Sequence, residues 1–461
     1  MEERYIASVD LGTSKIGLAV ARVLGDDTQV LYYRETPSDG VRHGSIFNPV
    51  KASEKIKEAV KLAEDELGIR ILQVITGLPR YYMVQEADTA TLPITDPDGG
   101  ITQDEVDLLK SNAIETYPIE DRNKELIYGA IAQSFSAEDA INYNESDIVG
   151  VPSGSLEGNF KIFLGSRKSV SNIDATINKV GIGAADKCFL PELTARAVLS
   201  SEERSNGVAL VEMGAGVTSV TIYQKGILRF YSSIPFGGRN ITWDIKNECG
   251  FTERLAENIK LAYGACIPEK LQSMGEKIIQ VNNDEDGTCE QLTVKYLSDI
   301  ITCRAREIVE AILFEIQRSG YAERLRNGVV LTGGCAELVN CGNLIKEMSG
   351  YNVRIGYPRS KKVGTASCPD ICGIGAAASF GMILYGMEKG NLNCSESIRE
   401  VSRPSDAGME GTAVEGTLFG DKPEEPEELP GKKNKKIKIT WGDKIKEKFG
   451  EKFGRMYDEM K

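Results

Sequence analysis

The sequence predicts an α/β protein of two lobes in which one topology is used twice. Runs of β-forming residues separated by tight turns lead into a helical pattern and return to a strand, which indicates a mixed sheet with packed helices. A second copy of the opening motif lies near mid-chain. The chain has 461 residues, and one simple core rarely extends over that many.

The opening segment predicts three strands, a helix and a further strand. Residues 5–12, 15–24 and 29–36 are rich in β-forming side chains and are separated by short turns. Residues 49–67 then carry apolar side chains at helical spacing, and residues 71–76 form another β-rich run. This order of elements is typical of a sheet that is covered by helices.

The repeated unit is an acidic residue at a strand end followed by a turn of small residues. It reads VDLGTS at residues 9–14 and VEMGAG at residues 211–216, about 200 residues further along. Either copy alone is explained as well by an ordinary β-hairpin. Two copies at the separation of a whole domain favour a duplicated architecture with a cleft between the two turns.

Composition excludes several classes of function. A net charge of −13 argues against general nucleic-acid binding, which needs a basic surface. Ten scattered cysteines without a CxxC pair, and a single histidine, argue against a zinc site or a histidine-dependent triad. Scattered cysteines and no signal-peptide pattern predict a cytoplasmic protein. No stretch approaches the roughly 18 apolar residues of a spanning helix, so any membrane contact should be peripheral.

The first small-residue turn has the groups that a polyphosphate and its metal require. Gly12 lets the backbone approach a phosphate, Thr13 and Ser14 add hydroxyls, and Lys15 adds a positive charge. Asp10, at the strand end, is the predicted Mg²⁺ ligand, through water because Mg²⁺ keeps much of its hydration shell. The sequence therefore predicts that this turn binds a nucleotide with Mg²⁺.

The second turn predicts an opposing phosphate clamp. Glu212 stands at its strand end as Asp10 does in the first turn, and we predict that these two carboxylates act in ATP hydrolysis. Neither turn has the GxxxxGK[ST] spacing, so the site is not a P-loop. The predicted phosphate-contacting residues of the second turn are Gly214, Ala215, Gly216 and Thr218.

Two further segments fit a pocket for the base and ribose. A buried-type strand ends in Gly333 and Gly334, where a side chain would obstruct a flat ligand, before a helix that we expect to begin near Ala336. Glu257 and Lys260 share one helix face at i and i+3 and could reach ribose hydroxyls. The alternative for this pair is a solvated ion pair on the surface.

Together these motifs resemble those of the actin, Hsp70 and sugar-kinase superfamily. Residues 10–15 resemble its first phosphate motif, residues 212–218 its second and residues 331–334 its adenosine motif. Residues 191–195 and 373–377 resemble the helices that connect the two lobes. The resemblance implies a two-lobed, actin/Hsp70-like (ribonuclease H-like) ATPase fold.

Within this superfamily the sequence is similar to the FtsA family over most of residues 5–386 and the tail. The similarity rests on GVRHGSI at residues 40–46, IPFGGRNITWDI at residues 234–245 and AENIKLAYG at residues 256–264. The last segment matches the helix that contributes ribose contacts in that family. The nucleotide-binding residues that the resemblance supports here are Gly237, Gly238, Glu257 and Lys260.

The resemblance also implies domain boundaries and one chemical difference. The family usually carries aspartate where this chain has Glu212, which is one methylene longer. Because a longer arm misplaces a metal-bound water, we expect nucleotide binding with at most slow hydrolysis. The implied domains are lobe 1A (1–83, 163–199, 370–390), inserted lobe 1C (84–162), lobe 2A (200–234, 328–369), lobe 2B (235–327), a disordered linker (391–439) and an amphipathic helix (440–461).

The C-terminal segment predicts a membrane anchor. Residues 431–461 contain 11 basic and 5 acidic residues on an otherwise acidic chain, which suits anionic lipid. Large apolar residues recur there on one helical face with basic residues along its border. The alternative is docking on the globular body or on a partner. The predicted membrane-facing residues are Trp441, Ile445, Phe449, Phe453 and Met456.

The family resemblance implies a function in cell division. It implies an ATP- and Mg²⁺-binding protein that polymerises, binds the tubulin-like division protein FtsZ through lobe 2B, meets other division proteins, and tethers the FtsZ ring to the cytoplasmic face of the inner membrane at the division site. An actin-like pilus-assembly protein, expected to lack the amphipathic tail, is the nearest alternative. A small-molecule kinase would need a further catalytic aspartate, and an Hsp70-like chaperone would need a β-rich domain after residue 390.

Overall fold

The computed structural model describes residues 3–138, 141–282 and 289–397. The predicted C-terminal helix, and the predicted linker beyond residue 397, lie outside these residues. Among the helices that the structure describes, none has both the length and the apolarity needed to cross a membrane.

The described residues form nineteen strands, eleven α-helices and several short 3₁₀ turns. The strands are β1 (Glu3–Leu11), β2 (Lys15–Leu24), β3 (Asp27–Pro37), β4 (Val41–Arg42), β5 (Ser45–Ile46), β6 (Ile69–Ile71), β7 (Gln73–Gly77), β8 (Met83–Pro93), β9 (Glu125–Ser136), β10 (Ser155–Ser166), β11 (Gly183–Cys188), β12 (Val208–Met213), β13 (Thr218–Gln224), β14 (Ile227–Ile234), β15 (Ile278–Asn282), β16 (Cys289–Thr293), β17 (Val329–Thr332), β18 (Val353–Ile355) and β19 (Ser395–Ser397).

The helices connect and cover these strands. They are α1 (Pro49–Leu67), α2 (Gln103–Glu115), α3 (Glu145–Ile148), α4 (Arg167–Val180), α5 (Leu190–Val198), α6 (Ser201–Asn206), α7 (Gly238–Cys249), α8 (Glu253–Tyr263), α9 (Val294–Arg318), α10 (Cys341–Ser349) and α11 (Ala377–Glu388). The 3₁₀ turns are Pro268–Lys270, Gln272–Met274, Ala322–Arg324, Gly334–Glu337, Pro369–Cys372 and Ile374–Ala376.

Two five-stranded sheets have the same topology, which confirms the predicted duplication. In the first, with order β11-β7-β1-β2-β3, the first three strands of the chain are antiparallel and β7 and β11 join in parallel. In the second, with order β14-β13-β12-β17-β18, an antiparallel trio is again extended by two parallel strands.

The first sheet is buried on both faces because its side chains alternate between two cores. Ile6 belongs to the core that contains Phe380 of α11, whereas Ala7 and Val9 belong to the core that contains Ile56 of α1. A strand alternates its side chains between faces at every residue, so a continuous apolar run supplies both cores. A sheet that is buried on both faces needs strands that are apolar throughout. These are the strands from which the sequence predicted a sheet covered by helices.

Helix α1 matches the predicted bounds because local signals specify both ends. The Asn48 side chain accepts hydrogen bonds from the amides of Val50 and Lys51, and Pro49 occupies the first turn. Gly68 ends the helix with a left-handed φ of 64°. The strand predicted at residues 71–76 is instead two strands, β6 and β7.

Helices α5 and α11 pack closely where the sequence predicted connecting helices. A side chain at Gly381 of α11 would place its Cβ 2.5 Å from the carbonyl oxygen of Leu193 in α5, so glycine permits this approach. Helix α11 begins at Ala377, after a 3₁₀ turn over Ile374–Ala376, and so starts later than the resemblance implied.

A three-stranded sheet of order β8-β10-β9 has its own core within the residues assigned to the inserted lobe. Phe135 and Phe160 meet edge to face with ring centres 6.3 Å apart, and Leu109 of α2 packs in the same core. Side chains of this sheet also cap the edge strand β14: Gln133 Nε2 donates to Leu228 O at 3.0 Å. The edge of the second large sheet is thereby covered.

Two boundaries differ from the sequence analysis. The prediction that a helix begins near Ala336 is wrong, because a 3₁₀ turn follows Gly333 there. Helix α10 begins only at Cys341, after Asn340, which has a left-handed φ of 63°. The folded part also extends beyond residue 390, since β19 pairs with β6 and the amide of Cys394 donates to the carbonyl of Tyr5 at 2.7 Å.

Residues 272–296 belong to a second compact unit. Within it, β15 and β16 pair as an antiparallel hairpin.

Candidate nucleotide-binding site

The two small-residue turns lie against each other between the two large sheets. Asp10 is the penultimate residue of β1, opposite Gly17 of β2, and Glu212 is the penultimate residue of β12, opposite Ser219 of β13, so the two carboxylates occupy equivalent positions. The duplicated topology thus brings two acidic strand ends to one cleft.

Close approach of the backbones explains the small residues in both turns. A Cβ at Gly12 would lie 2.5 Å from the carbonyl oxygen three residues on, and a Cβ at Gly214 would meet the equivalent oxygen at 2.9 Å. A Cβ at Gly216 would lie 2.8 Å from Thr13 Oγ1. Side chains at Gly12 and Gly214 would therefore distort their own turns, and a side chain at Gly216 would push the two turns apart.

His43, the single histidine of the chain, joins the two turns. Its Nδ1 lies 2.8 Å from Gly216 O in the second turn, and the neighbouring amide of Gly44 donates to Thr13 Oγ1 of the first at 3.1 Å. Sequence analysis used residues 40–46 only for the family resemblance and assigned them no part in the site. The single histidine of the chain, directly before Gly44, was the available signal.

Arg80 lies between the two predicted catalytic carboxylates. Its Nη2 is 3.5 Å from Asp10 Oδ1 and 3.2 Å from Glu212 Oε1, and all three side chains are largely buried, with 14–17% exposed. Sequence analysis missed this residue. It follows β7, and because β7 runs parallel to β1 the residues after both strands meet at one sheet edge.

Burial and neighbouring charges shift the pKa values of Glu212 and Arg80. Burial raises the pKa of Glu212, Arg80 opposes that shift and the charge of Asp10 adds to it. Burial by itself would lower the pKa of Arg80, but attraction to Glu212 and Asp10 outweighs it and the pKa is raised. Arg80 therefore stays charged and partly compensates the two acids.

Lys15 reaches from the first turn toward the double glycine of the second lobe. Its Nζ is 4.0 Å from the position of a Cβ at Gly334. In this structure Lys15 pairs with Glu35 Oε1 at 2.5 Å, and Tyr33 Oη donates to the same carboxylate at 2.7 Å. Gly333 has a left-handed φ of 88°, so β17 can turn sharply there only with glycine.

The second turn is closed by the start of α7. The amide of Gly238 donates to Gly214 O at 3.0 Å, and the amide of Arg239 donates to Ala215 O at 2.8 Å. Thr218 is fully buried, and its hydroxyl donates to Phe236 O at 2.9 Å. This bond connects the end of the second turn to the segment that precedes α7. The backbone of residues 236–239 thus fixes this turn.

Glu257 and Lys260 form a pair at one end of the cleft. Lys260 Nζ is 2.7 Å from Glu257 Oε2 and also donates to Gly238 O at 3.0 Å and to Thr242 Oγ1 at 2.8 Å. Lys260 is buried, so the solvated surface pair considered from the sequence does not describe it. Glu257 remains partly exposed and can accept from a ligand.

The donor set suits a largely hydrated Mg²⁺ rather than a protein-only metal cage. Within the ranges that the structure describes, no group of three or more His, Cys, Asp or Glu side chains converges as such a cage would need. Asp10 and Glu212 both face the guanidinium of Arg80, which shows that their oxygens converge on a site suited to a cation. Mg²⁺ commonly uses only one or two carboxylates and keeps its waters.

Comparison with solved structures identifies the fold class. The chain superposes on a chain of a PilM–PilN type IV pilus biogenesis complex with a TM-score of 0.57, covering 83% of this chain and 98% of that one. The identity is 14%, so the similarity concerns the fold. The fold is that of the actin-like ATPases.

Sequence comparison then specifies the family. The family model described as cell division protein FtsA matches residues 209–372. The cell division protein FtsA of Neisseria meningitidis is 30% identical over 363 residues, which are 78% of this chain and 85% of the relative. That of Borreliella burgdorferi is 30% identical over 404 residues, 85% of this chain and 93% of the relative. The chain belongs to the FtsA family of actin-like cell division proteins, as the sequence motifs indicated.

Proposed function

We propose that this chain binds Mg²⁺-ATP in the cleft, polymerises, and tethers the FtsZ ring to the cytoplasmic face of the inner membrane at the division site. The observation that carries the nucleotide part is the contact between the two glycine turns, each of which follows a strand-end carboxylate. The two turns contain backbone amides, hydroxyls and a lysine, the groups that polyphosphate binding requires. Membership of the division family supports the rest.

In this proposal the first turn carries most of the phosphate contacts. The amides around Gly12 and the hydroxyls of Thr13 and Ser14 would bind phosphate oxygens, and Lys15 would exchange Glu35 for phosphate. Asp10 would hold Mg²⁺ through water, and Mg²⁺ supplies positive charge for the phosphates. The backbone of the second turn, residues 214–216, would face the same phosphates.

Glu212 would orient the attacking water in slow hydrolysis. Its carboxylate is fixed near Arg80 and opposite Asp10, on the second lobe's side of the cleft. Thr218, Gly237 and Gly238 would act by holding the second turn in place.

The base and ribose would lie along the second lobe. Gly333 and Gly334 would leave room for the base, and Glu257, oriented by Lys260, would accept hydrogen bonds from ribose hydroxyls. Glu257 suits this role because its carboxylate is partly exposed and is held in place by the buried Lys260.

Calorimetry with Mg²⁺-ATP tests the placement of this site. Gly334→Trp fills the space expected for the base and should abolish measurable binding, with circular dichroism unchanged. Gly390→Trp is the matched control, because a side chain at that exposed glycine meets nothing within 4 Å. Wild-type affinity in Gly334→Trp would show that the base lies elsewhere.

The remaining interactions are proposed from the family and the sequence. Lobe 2B, residues 235–327, would bind FtsZ, other division proteins would bind the same body, and copies of the chain would associate into filaments. Residues 440–461 would bind anionic lipid through Trp441, Ile445, Phe449, Phe453 and Met456. Each large apolar side chain would contribute about 1.5–3 kcal/mol on burial, before the cost of ordering the helix.

Sedimentation with anionic liposomes tests the anchor. The double variant Trp441→Glu, Phe449→Glu and a chain ending at Lys438 should stay in the supernatant, whereas wild type should pellet even at high salt because apolar burial outweighs lysine attraction. A matched variant with two glutamates in the predicted linker, Ser405→Glu and Thr412→Glu, controls for added charge. Equal pelleting of all four proteins would favour docking of the tail on a partner.

A further inference from the structure

Arg80 connects the two halves of the cleft through both its side chain and its backbone. One guanidinium nitrogen, Nη2, contacts Asp10 in the first lobe and Glu212 in the second. The carbonyl of Arg80 accepts a hydrogen bond of 2.7 Å from the hydroxyl of Tyr231 on β14. The backbone is therefore anchored, and the guanidinium carries the contact between the two acids.

Arg80 is the cation that compensates these acids in the part of the chain described here. Among the ion pairs of the described residues, only those of Arg80 involve Asp10 or Glu212. Lys15, the other nearby cation, pairs with Glu35. Two largely buried carboxylates that share a site repel each other unless a cation lies between them. A guanidinium and a hydrated Mg²⁺ would satisfy the same pair.

The guanidinium contact is incomplete, which suits a group that can be displaced. The distance to Asp10 is 3.5 Å, at the outer limit of a hydrogen bond, whereas the distance to Glu212 is 3.2 Å. Arg80 Nε is buried and has no hydrogen-bond partner in the structure as described. A planar guanidinium can form bidentate pairs with carboxylates or phosphates, and here it uses one nitrogen for both acids.

We propose that Arg80 is a built-in counter-cation that holds Asp10 and Glu212 together when Mg²⁺ is absent, and that Mg²⁺ must displace it from Asp10. Arg80 keeps its contact with Glu212 after this exchange. Arg80 is thus a positioning residue that sets how strongly the empty cleft attracts a divalent cation. The proposal rests on the proposed function, because it places the metal at Asp10.

The test is titration calorimetry with MgCl₂ alone, without nucleotide. Wild type should bind Mg²⁺ weakly, and Arg80→Gln should bind it roughly tenfold or more tightly, since two uncompensated carboxylates then face one site. Arg80→Lys retains the charge and should resemble wild type. Arg254→Gln removes an exposed arginine on α8 and is the matched control. Equal Mg²⁺ affinity in wild type and Arg80→Gln would overturn the proposal.

A second measurement keeps the test decisive if Arg80→Gln is unstable. The variant should melt at a lower temperature in EDTA and recover when MgCl₂ is added, whereas the melting of wild type should barely change. The double variant Arg80→Gln, Glu212→Gln removes the repulsion and should lose both the instability and the tight Mg²⁺ binding. Persistence of tight Mg²⁺ binding in the double variant would contradict the proposal. Failure of wild type to bind Mg²⁺-ATP would instead count against the proposed function.

Discussion

The two phosphate turns have the same position in their sheets but are held by different means. In the first, Thr13 Oγ1 accepts from Gly44 and Lys15 pairs with Glu35, so side chains do much of the holding. In the second, the amides of Gly238 and Arg239 close the turn through backbone hydrogen bonds, and the Thr218 hydroxyl and His43 add side-chain contacts. The duplication preserved topology and the strand-end acid, and each copy acquired its own support.

This difference indicates where each turn is sensitive to substitution. Side-chain contacts can exchange partners when a ligand arrives, so the first turn should respond mainly in nucleotide binding. Backbone contacts at close approach cannot rearrange cheaply, so Gly237, where the start of α7 meets the second turn, should respond mainly in stability. The following predictions test this contrast, from the largest expected effect to the smallest.

Gly237→Ala should produce the largest effect, a loss of about 3 kcal/mol in the free energy of unfolding. A Cβ at this position would lie 2.3 Å from Gly214 O and 2.8 Å from Ala215 O, which are backbone atoms. Its φ of −172° is extended, so the cost is steric rather than conformational. Urea denaturation measures it, with Gly390→Ala as a control in open space. A loss equal to that of the control would mean that α7 shifts freely, and the contrast between the turns would fail.

Glu212→Asp should raise the rate of phosphate release by about two- to tenfold, the latter corresponding to ~1.4 kcal/mol in the barrier. The shorter arm restores the carboxylate usual in the family, and ATP affinity should change little. Single-turnover phosphate release is the measurement, and Glu202→Asp, on exposed helix α6, controls for the substitution. A fall in turnover would indicate that the 3.2 Å contact with Arg80 requires glutamate.

Glu35→Gln should tighten ATP binding by up to about fivefold, because exposed ion pairs are worth at most about 1 kcal/mol. The substitution frees Lys15 from a pair whose side chains are each about one-third exposed. Lys15→Ala should weaken binding, and the double variant should match Lys15→Ala. Calorimetry at two salt concentrations distinguishes the outcomes. If Glu35→Gln weakens binding, Glu35 orients Lys15 rather than competing with phosphate.

Local signals in the sequence were sufficient for the elements that depend on local chemistry. Helix α1 is specified by Asn48, Pro49 and Gly68, and the two turns by glycines at which a side chain would approach neighbouring atoms too closely. The family motifs then indicated the fold and the division family.

The parts that were missed depend on tertiary placement. Arg80 joins the site because β7 lies parallel to β1, which no pattern around Arg80 reveals. The pairing of Lys15 with Glu35 follows from the register of β2 and β3, which sets Gly17 opposite Glu35. The prediction of a helix start near Ala336 was wrong for a local reason. Asn340 takes a left-handed conformation that helix propensity alone does not predict, and α10 begins after it.

The smallest predicted effect is the pH dependence of an ion pair in the second lobe, between Glu203 and Arg354. The first lobe has a more exposed pair, between Arg34 and Glu66. Glu203 caps the amide of Ser200 at the start of α6 and pairs with Arg354, at 2.6 Å from its Nε and 2.7 Å from its Nη2. Burial alone would raise the pKa of Glu203, but hydrogen bonds from Arg354 and Ser200 outweigh it and lower the pKa below the ordinary 4.5. The stabilisation is therefore present above pH 4.5 and is lost as pH falls through the lower, folded-state pKa.

Glu203→Gln should thus cost under about 1 kcal/mol at pH 7, because Arg354 is partly exposed and solvent screens the pair. The cost should shrink as pH falls below 4.5, since protonated Glu203 resembles glutamine. Urea unfolding of both proteins between pH 7 and pH 3.5 measures this convergence. The first-lobe pair of Arg34 with Glu66 is the comparison: both side chains are about half exposed, and Glu66→Gln should change stability by less at every pH. Parallel stability curves for wild type and Glu203→Gln would show that Arg354 does not hold the carboxylate in its charged form.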